Sequence, residues 1–391
     1  MNAQGLRWLL LQAVLVHAAM IVVRPMVSYR ALDLGASTVQ IGLIATSSGL
    51  LPLLLAFAVG RRADLWGAGR LLVAGAFLSV TGSTTAILAP ALPVLYAASA
   101  ALGLAHLLLL VGHQSAVSQA ATQAERDRGF AALSSASSVG QFLGPTVVLS
   151  LAGWLAGSGG SVAGIGLSMA AGLALVAAPL GLFCTLTRRP QQPAGPRATS
   201  RQAASRLVRT EGMWRALLVS GTTAAALDIL PAFLPAWAEE RGISVAVVGW
   251  LLGVRALVTV SVRLSVPWLI ARVGRRPTFL GALAAGIAGM ALLPFVDAVG
   301  GAVAMVLLGM GFGLSQPLTL SWVATLAPSE MRGAAVGLRL TANRLAQTVV
   351  PASVTLAVAG SGSGGVFLGS AALVAAATTT VVRRQSPGAE I

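Results

Sequence analysis

The sequence predicts an all-α membrane protein whose twelve transmembrane helices form two pseudo-symmetric six-helix bundles. Three observations lead to this fold class. The 391 residues are 56% hydrophobic and only 9% charged, whereas soluble domains carry about 25% charged residues, so lipid must cover most of the surface. Apolar runs of about 20 residues, the length that crosses a bilayer, recur along the chain. The two halves of the chain also share matching segments.

Charged residues or turn-forming residues separate the apolar runs and set the boundaries of the predicted helices. The first run is too long for the apolar part of a signal peptide, so we expect it to remain as the first helix. The predicted spans are 6–28, 38–59, 71–89, 92–115, 129–156, 161–185, 214–236, 244–266, 277–297, 299–323, 333–359 and 362–382.

The placement of arginine predicts the orientation in the membrane. With the N-terminus in the cytoplasm, the cytoplasmic segments hold 19 of the 26 basic residues, and the outer loops hold only Arg30 and Arg241. An even number of spans returns the C-terminus to the cytoplasm. We therefore expect a multi-pass protein of the bacterial plasma (inner) membrane with both termini cytoplasmic. The net charge of +15 then follows topology and indicates no nucleic-acid partner.

One long polar stretch divides the chain. Residues 186–212 are rich in Arg, Gln, Pro and Ser and predict a flexible cytoplasmic linker. The linker separates an N-terminal six-helix bundle, residues 1–185, from a C-terminal six-helix bundle, residues 213–391.

The two halves repeat at a nearly constant offset. A six-span unit duplicated in parallel is the geometry that places a substrate site between two halves near the bilayer midplane. The matches are Gly35–Gly42 with Gly242–Gly249 at an offset of 207, and Gln141 and Pro145 with Gln347 and Pro351 at an offset of 206.

The loop after the second span carries Gly60-Arg-Arg-Ala-Asp64-Leu-Trp-Gly67-Ala-Gly-Arg70. This stretch resembles the Gly-x-x-x-Asp-x-x-Gly-x-x-Arg signature of the major facilitator superfamily, and the resemblance in fold covers nearly the whole chain. It implies that Gly60, Asp64, Gly67 and Arg70 form a gating loop whose acid acts as a latch. We expect the glycines to permit a tight turn. The copy in the second half has Ala271 in place of the acid, which predicts a one-sided latch.

Two further clusters resemble the charges on the inner side of that family. They are Asp127 after the fourth span, and Glu330 with Arg332 after the tenth. They are either gating residues or solvated loop charges that obey the topology rule.

The fifth span carries Gly140, Gly144 and Pro145. These residues resemble the core of the helix-5 motif of drug/proton antiporters, a branch of the superfamily in which they bend the helix. A Gly-x-x-x-Gly pair is also common in any packed membrane helix. Ser99 stands where that branch has an arginine on the fourth helix, so the proton-relay role of that arginine is not implied here.

Polar and ionisable groups inside the spans are candidates for the substrate or proton pathway, because charges are expensive to place in hydrocarbon. Asp228 either carries a proton or pairs with Arg255 or Arg344, and the histidines either titrate or serve as structural groups. Arg263 and Arg339 are expected to snorkel outward from the cytoplasmic ends of their helices. The candidates are His17, Arg24, His106, Gln141, Asp228, Arg255, Asn343 and Arg344.

These observations predict a secondary transporter, acting as a monomer by alternating access on a small-molecule substrate. The leading hypothesis is export of small apolar or amphiphilic compounds coupled to protons. Transport of an organic anion by the intramembrane arginines is one alternative, and a transport-dead membrane sensor or assembly partner is another.

Several other classes have no motif in this sequence. The chain has no lysine, and so no Gly-Lys-Ser/Thr phosphate loop, which argues against an ATP-driven pump. One cysteine, Cys184, and three scattered histidines make no metal cluster. We therefore expect no cofactor, no metal and no enzymatic activity.

Overall fold

The computed structural model describes residues 3–118, 123–157, 160–183, 207–328 and 331–382. Twelve long helices follow one another within these residues. Helix α5 is composite, with a π-helical segment between two α-helical ones, and α9 ends in a short 3₁₀ turn, Leu293–Phe295. The helices are α1 Ala3–Asp33, α2 Thr38–Trp66, α3 Ala68–Leu88, α4 Leu92–Ser118, α5 Gln123–Leu143 with Gly144–Leu149 and Ser150–Ala156, α6 Val162–Phe183, α7 Met213–Glu239, α8 Val245–Val273, α9 Arg275–Leu292, α10 Ala298–Leu326, α11 Arg332–Ala357 and α12 Gly362–Val382.

Eleven helices of the described chain are long and apolar enough to cross a membrane. The remaining long helix is α11, whose 26 residues include Arg339, Asn343 and Arg344. Arg339 and Asn343 are only 5% and 8% exposed, so these polar groups face protein rather than lipid. The predicted all-α membrane fold is confirmed.

The turn between α2 and α3 differs from the prediction. Helix α2 continues through Gly60 to Trp66, and the chain reverses at Gly67 alone, where φ is 78°. Only glycine adopts this left-handed conformation without strain. The expectation that Gly60 also shapes the turn is therefore wrong.

The chain divides into two compact units. One contains Met1–Pro193 and Pro231–Gly253, and the other contains Ala194–Leu230 and Val254–Ile391. In the first, α3 packs against α4 and α6 while α1 packs against α5 and α6; in the second, α9 packs against α10 and α12. Of the predicted linker, only residues 207–212 lie among the described residues, and the predicted domain boundaries stay a prediction.

Glycines at equivalent positions perform the same task in each half. Gly35 and Gly242 both have a positive φ, 72° and 63°. Gly67 and Gly274 do as well, at 78° and 90°. Each pair is separated by 207 residues, the offset of the sequence repeat.

Two tight helix crossings are also repeated. A side chain at Gly103 of α4 would collide with the backbone carbonyl of Ser48 on α2. A side chain at Gly309 of α10 would lie 2.9 Å from the backbone oxygen of Arg255 on α8. The crossing of α2 and α4 in the first half thus has a counterpart in the crossing of α8 and α10 in the second.

Candidate functional site

A cavity of about 500 Å³ opens among α8, α10 and α11. Its wall combines two guanidinium groups and one amide with apolar side chains. Such a mixture suits a ligand with an anionic group and an apolar body. The lining residues are Arg263, Val266, Pro267, Gln316, Pro317, Leu320 and Arg339.

Arg339 is held inside the protein by α10. Its Nη2 donates to the backbone oxygen of Gln316 at 2.9 Å, to Gln316 Oε1 at 2.8 Å and to Thr319 Oγ1 at 3.0 Å. The prediction that Arg339 snorkels outward is therefore wrong, because three acceptors on α10 lie within hydrogen-bond distance of its guanidinium. Its Nε is buried and makes no hydrogen bond with the described residues.

Arg263 approaches the same helix from α8. Its Nε donates to the backbone oxygen of Gly313 at 3.2 Å, while the residue as a whole is exposed. The two arginines therefore reach the cavity from different helices and both anchor on α10.

The amide of Gln316 links the cavity to α7. Its Nε2 donates to Thr223 Oγ1 at 3.4 Å, and its Oε1 accepts from Arg339. A second contact between helices joins Ser220 Oγ of α7 to Asn343 Oδ1 of α11 at 2.9 Å. Asn343, a predicted pathway residue, thus accepts a hydrogen bond that links α7 to α11.

Asp228 and Arg255 lie within electrostatic reach of each other. Arg255 is 7% exposed and interacts with both Asp228 and Arg263. Arg344 donates to Gln347 Oε1 at 3.3 Å on its own helix. The spans of this half therefore hold more arginine than acid, and the arginines cluster on α8 and α11.

In the N-terminal half, His17 meets His113, a histidine that was not among the predicted site residues. The ring centroids are 5.7 Å apart, and the rings are inclined by 29°. His113 Nε2 lies 2.8 Å from Gln12 Oε1. The other predicted candidates of this half, Arg24, His106 and Gln141, are half-buried.

The helix-5 motif lies against α1. Side chains at Gly140 and Gly144 would collide with the backbone of α1 around Val14 and Ala18. Pro145 is the second residue of the π-helical segment, and its carbonyl lies 2.5 Å from where a side chain at Gly249 would begin. The glycines thus allow a close approach of α5 to α1, as is common for a Gly-x-x-x-Gly pair in a packed membrane helix.

Of the predicted gating residues, Gly60, Arg70 and Arg332 are exposed, whereas Gly67 is buried at the start of α3. The side chains of Asp64 and Asp127, and all of Glu330, lie outside the described residues.

Three residues that make these polar contacts were not among the predicted site residues. Gln12, His113 and Gln316 are polar residues inside apolar runs, and that signal was available for each. Arg339 was noticed but was assigned the wrong direction, since its direction depends on the rotation of α10.

Comparison with known proteins agrees with this architecture. The sequence profile of the Major Facilitator Superfamily matches residues 9–351. A gentisate transporter of Corynebacterium glutamicum is 38% identical over 116 residues, a match that covers 28% of this chain and 26% of that protein. The chain thus spans about a quarter of the relative's length.

Solved structures share the fold. The crystal structure of the nucleoside transporter NupG superposes with a TM-score of 0.81 at 17% sequence identity, and the match covers 98% of this chain and 99% of the NupG chain. A second match is a bacterial homologue of the human lysosomal transporter Spinster, crystallised inward-facing and unoccupied. Its TM-score is 0.72 at 14% sequence identity, and the match covers 99% of this chain and 100% of that chain. At these identities the likeness concerns the fold alone. The profile match over residues 9–351 shows that the chain belongs to the Major Facilitator Superfamily, a family of secondary transporters and not of enzymes.

Proposed function

We propose that this transporter carries a small organic carboxylate, and that Arg263 and Arg339 bind its anionic group. The observation that supports the proposal is the cavity of about 500 Å³ that both arginines line. Its size falls within the roughly 300–1,000 Å³ typical of small-molecule sites.

The chemistry of the wall fits a carboxylate with an apolar body. A guanidinium forms charge-assisted, often bidentate, hydrogen bonds with a carboxylate. Val266, Pro267 and Leu320 offer an apolar surface to a ring or an aliphatic chain. Arg255, buried nearby on α8, adds positive potential, which favours anions over cations. The partial similarity to a gentisate transporter points to the same class of substrate, because gentisate is an aromatic carboxylate.

A second candidate function is export of apolar or amphiphilic compounds in exchange for protons. It is supported by α5, where Gly140 and Gly144 pack onto α1 and Pro145 lies in a π-helical segment. π-Helical turns occur frequently at functional sites. The antiporter resemblance implies that these residues bend the fifth helix, and π-helical turns are among the usual causes of a helix kink.

We also propose that the protein works as a monomer in the bacterial inner membrane, with both termini in the cytoplasm. The arginine bias between predicted inner and outer loops supports the orientation. Protons are the proposed coupling ion, and lipid surrounds the twelve helices.

The test is counterflow in proteoliposomes, using radiolabelled gentisate and benzoate against a cationic dye. Arg339→Gln and Arg263→Gln should each reduce carboxylate counterflow by roughly 10-fold or more, because a hydrogen bond to a charged group contributes about 1.5–3 kcal/mol. Arg272→Gln is the matched control, since Arg272 is an exposed arginine of the same helix that lies over the Trp268 ring, outside the cavity.

Thermal stability of each variant separates loss of binding from loss of fold. Carboxylate flux that both cavity variants leave at the level of Arg272→Gln would contradict the arginine site. Dye export driven by a pH gradient, with no carboxylate flux, would favour the second candidate.

A further inference from the structure

Two histidines of the N-terminal half stack on each other, and the proposed carboxylate site uses neither of them. His17 lies on α1 and His113 on α4, with ring centroids 5.7 Å apart. His113 is 1% exposed, and His17 is half-buried. The histidines are the side chains of the first six spans whose ordinary titration range lies near neutral pH.

Hydrogen bonds determine which nitrogen of each ring is left to take up a proton. His17 Nδ1 lies 2.8 Å from the backbone oxygen of Ala13, and His113 Nε2 lies 2.8 Å from Gln12 Oε1. Both oxygens only accept, so these two nitrogens carry hydrogen in the neutral rings. The proton-accepting positions are therefore Nε2 of His17 and Nδ1 of His113.

Two buried polar atoms beside the pair have no hydrogen-bond partner among the described residues. They are Nδ1 of His113, an acceptor, and Nε2 of Gln12, a donor. Buried polar groups are nearly always paired, so such atoms require an explanation. A proton arriving on water would meet a donor and an acceptor at this point.

Among the described residues of α1 and α4, no acid stands within two helical turns of the pair. On α1 and α4 the next ionisable groups, Arg24 and His106, stand two helical turns from the pair, about 10 Å along the axis. The other ionisable side chains described on the packed helices are Arg7, Tyr29, Arg30 and Asp33 on α1, Tyr96 on α4, Arg70 at the start of α3, and Glu125 and Arg128 near the start of α5. The described part of α6 has none. The side chains that lie outside the described ones are Arg61, Arg62, Asp64, Arg126 and Asp127.

We propose that His17 and His113 form one shared proton-binding site, occupied by a single proton or by none. Two positive charges 5.7 Å apart repel each other strongly in a protein interior, so the second proton is excluded under conditions in which the first is bound. The inference deepens the proposed function and rests on it, because it assigns a binding site to the proton that is proposed there as the coupling ion.

The site is placed where a proton changes helix packing. His17 Cβ lies 3.0 Å from where a side chain at Gly140 would begin, so α5 touches α1 at the histidine itself. A charged ring at this position alters the contact among α1, α4 and α5. Proton occupancy is thereby linked to the helices that carry the helix-5 motif.

The direct test is nuclear magnetic resonance of the full-length protein with isotope-labelled histidine. The chain has three histidines, so a His106→Gln variant leaves only the two rings of the pair. We expect two protonation steps separated by about two pH units, from the repulsion of charges at this distance. In His17→Gln and in His113→Gln, the remaining ring should titrate in one step with no such separation.

The functional test compares transport with and without a pH gradient in proteoliposomes. Both single variants should lose the acceleration that a pH gradient gives to carboxylate uptake, about 10-fold or more, while exchange without a gradient persists. Ser99→Ala is the matched control, because Ser99 is a buried residue of α4 that bonds to the Ile44 carbonyl, away from the pair.

Independent titration of the two rings, or no titration between about pH 4 and about pH 9, would overturn the shared site. A pH-gradient response unchanged in both variants would overturn its role in coupling. Failure of the carboxylate proposal leaves the resonance measurement decisive, so the two ideas fail separately.

Discussion

Single glycines end helices at matching places in the two halves. After α1, the amide of Gly35 donates to Leu32 O at 2.8 Å and that of Ala36 donates to Ala31 O at 2.9 Å. After α7, the amides of Gly242 and Ile243 make the same two bonds, at 3.1 and 2.8 Å. This pattern is a Schellman motif, which requires a left-handed residue at the helix end. Each of these helix ends therefore depends on the backbone conformation of its glycine rather than on contacts of a side chain.

Gly35→Ala tests that dependence without any steric clash, because nothing lies within 4 Å of the position a side chain would occupy. The left-handed conformation should cost about 1–2 kcal/mol for alanine. The control is Gly172→Ala, an equally open position inside α6, where alanine should stabilise the helix by up to about 1 kcal/mol. Thermal unfolding in detergent measures both, and equal midpoints would refute the argument.

Helix crossings depend on glycine for a different reason. At the crossing of α2 and α4, the backbone carbonyl of Ser48 occupies the space that a side chain at Gly103 would need. A backbone atom in the middle of a helix cannot move aside alone. Any larger residue must therefore push the two helices apart.

Gly103→Ala should accordingly lower the free energy of unfolding by about 1–3 kcal/mol or more, the range found when a packed core is overfilled. Gly281→Ala on α9 is the control, because its surroundings are open. The yield of monodisperse protein and its unfolding temperature provide the measurement. A Gly103 variant as stable as the Gly281 variant would show that the crossing is looser than described.

The order and number of helices could be predicted because apolar runs and the charges between them are local properties of the chain. The end of α2 could not, since the helix continues past Gly60, where hydropathy falls but helix-forming residues persist. The direction of Arg339 and the meeting of His17 with His113 depend on how neighbouring helices are rotated. No periodicity within one segment carries that information.

At the scale of the whole molecule, the proposed topology makes a simple prediction. In a Cys184→Ala background, Ser200→Cys in the predicted linker should react with impermeant thiol reagents only from the cytoplasmic side. Ser244→Cys, an exposed position just before α8, should react only from outside. Labelling of intact cells and of inverted vesicles measures this, and reaction of both positions from one side would exclude the proposed orientation.

The hydrogen bonds of Arg339 bear on how a cargo is released. Its Nη2 already has three acceptors on α10, so a carboxylate that binds through Nη2 competes with Gln316 and Thr319 for that donor. The exchange lowers the net gain on binding, because one set of contacts replaces another. A carrier gains from this competition, since modest affinity shortens the lifetime of the loaded state and lets the arginine return to its resting partners after each cycle.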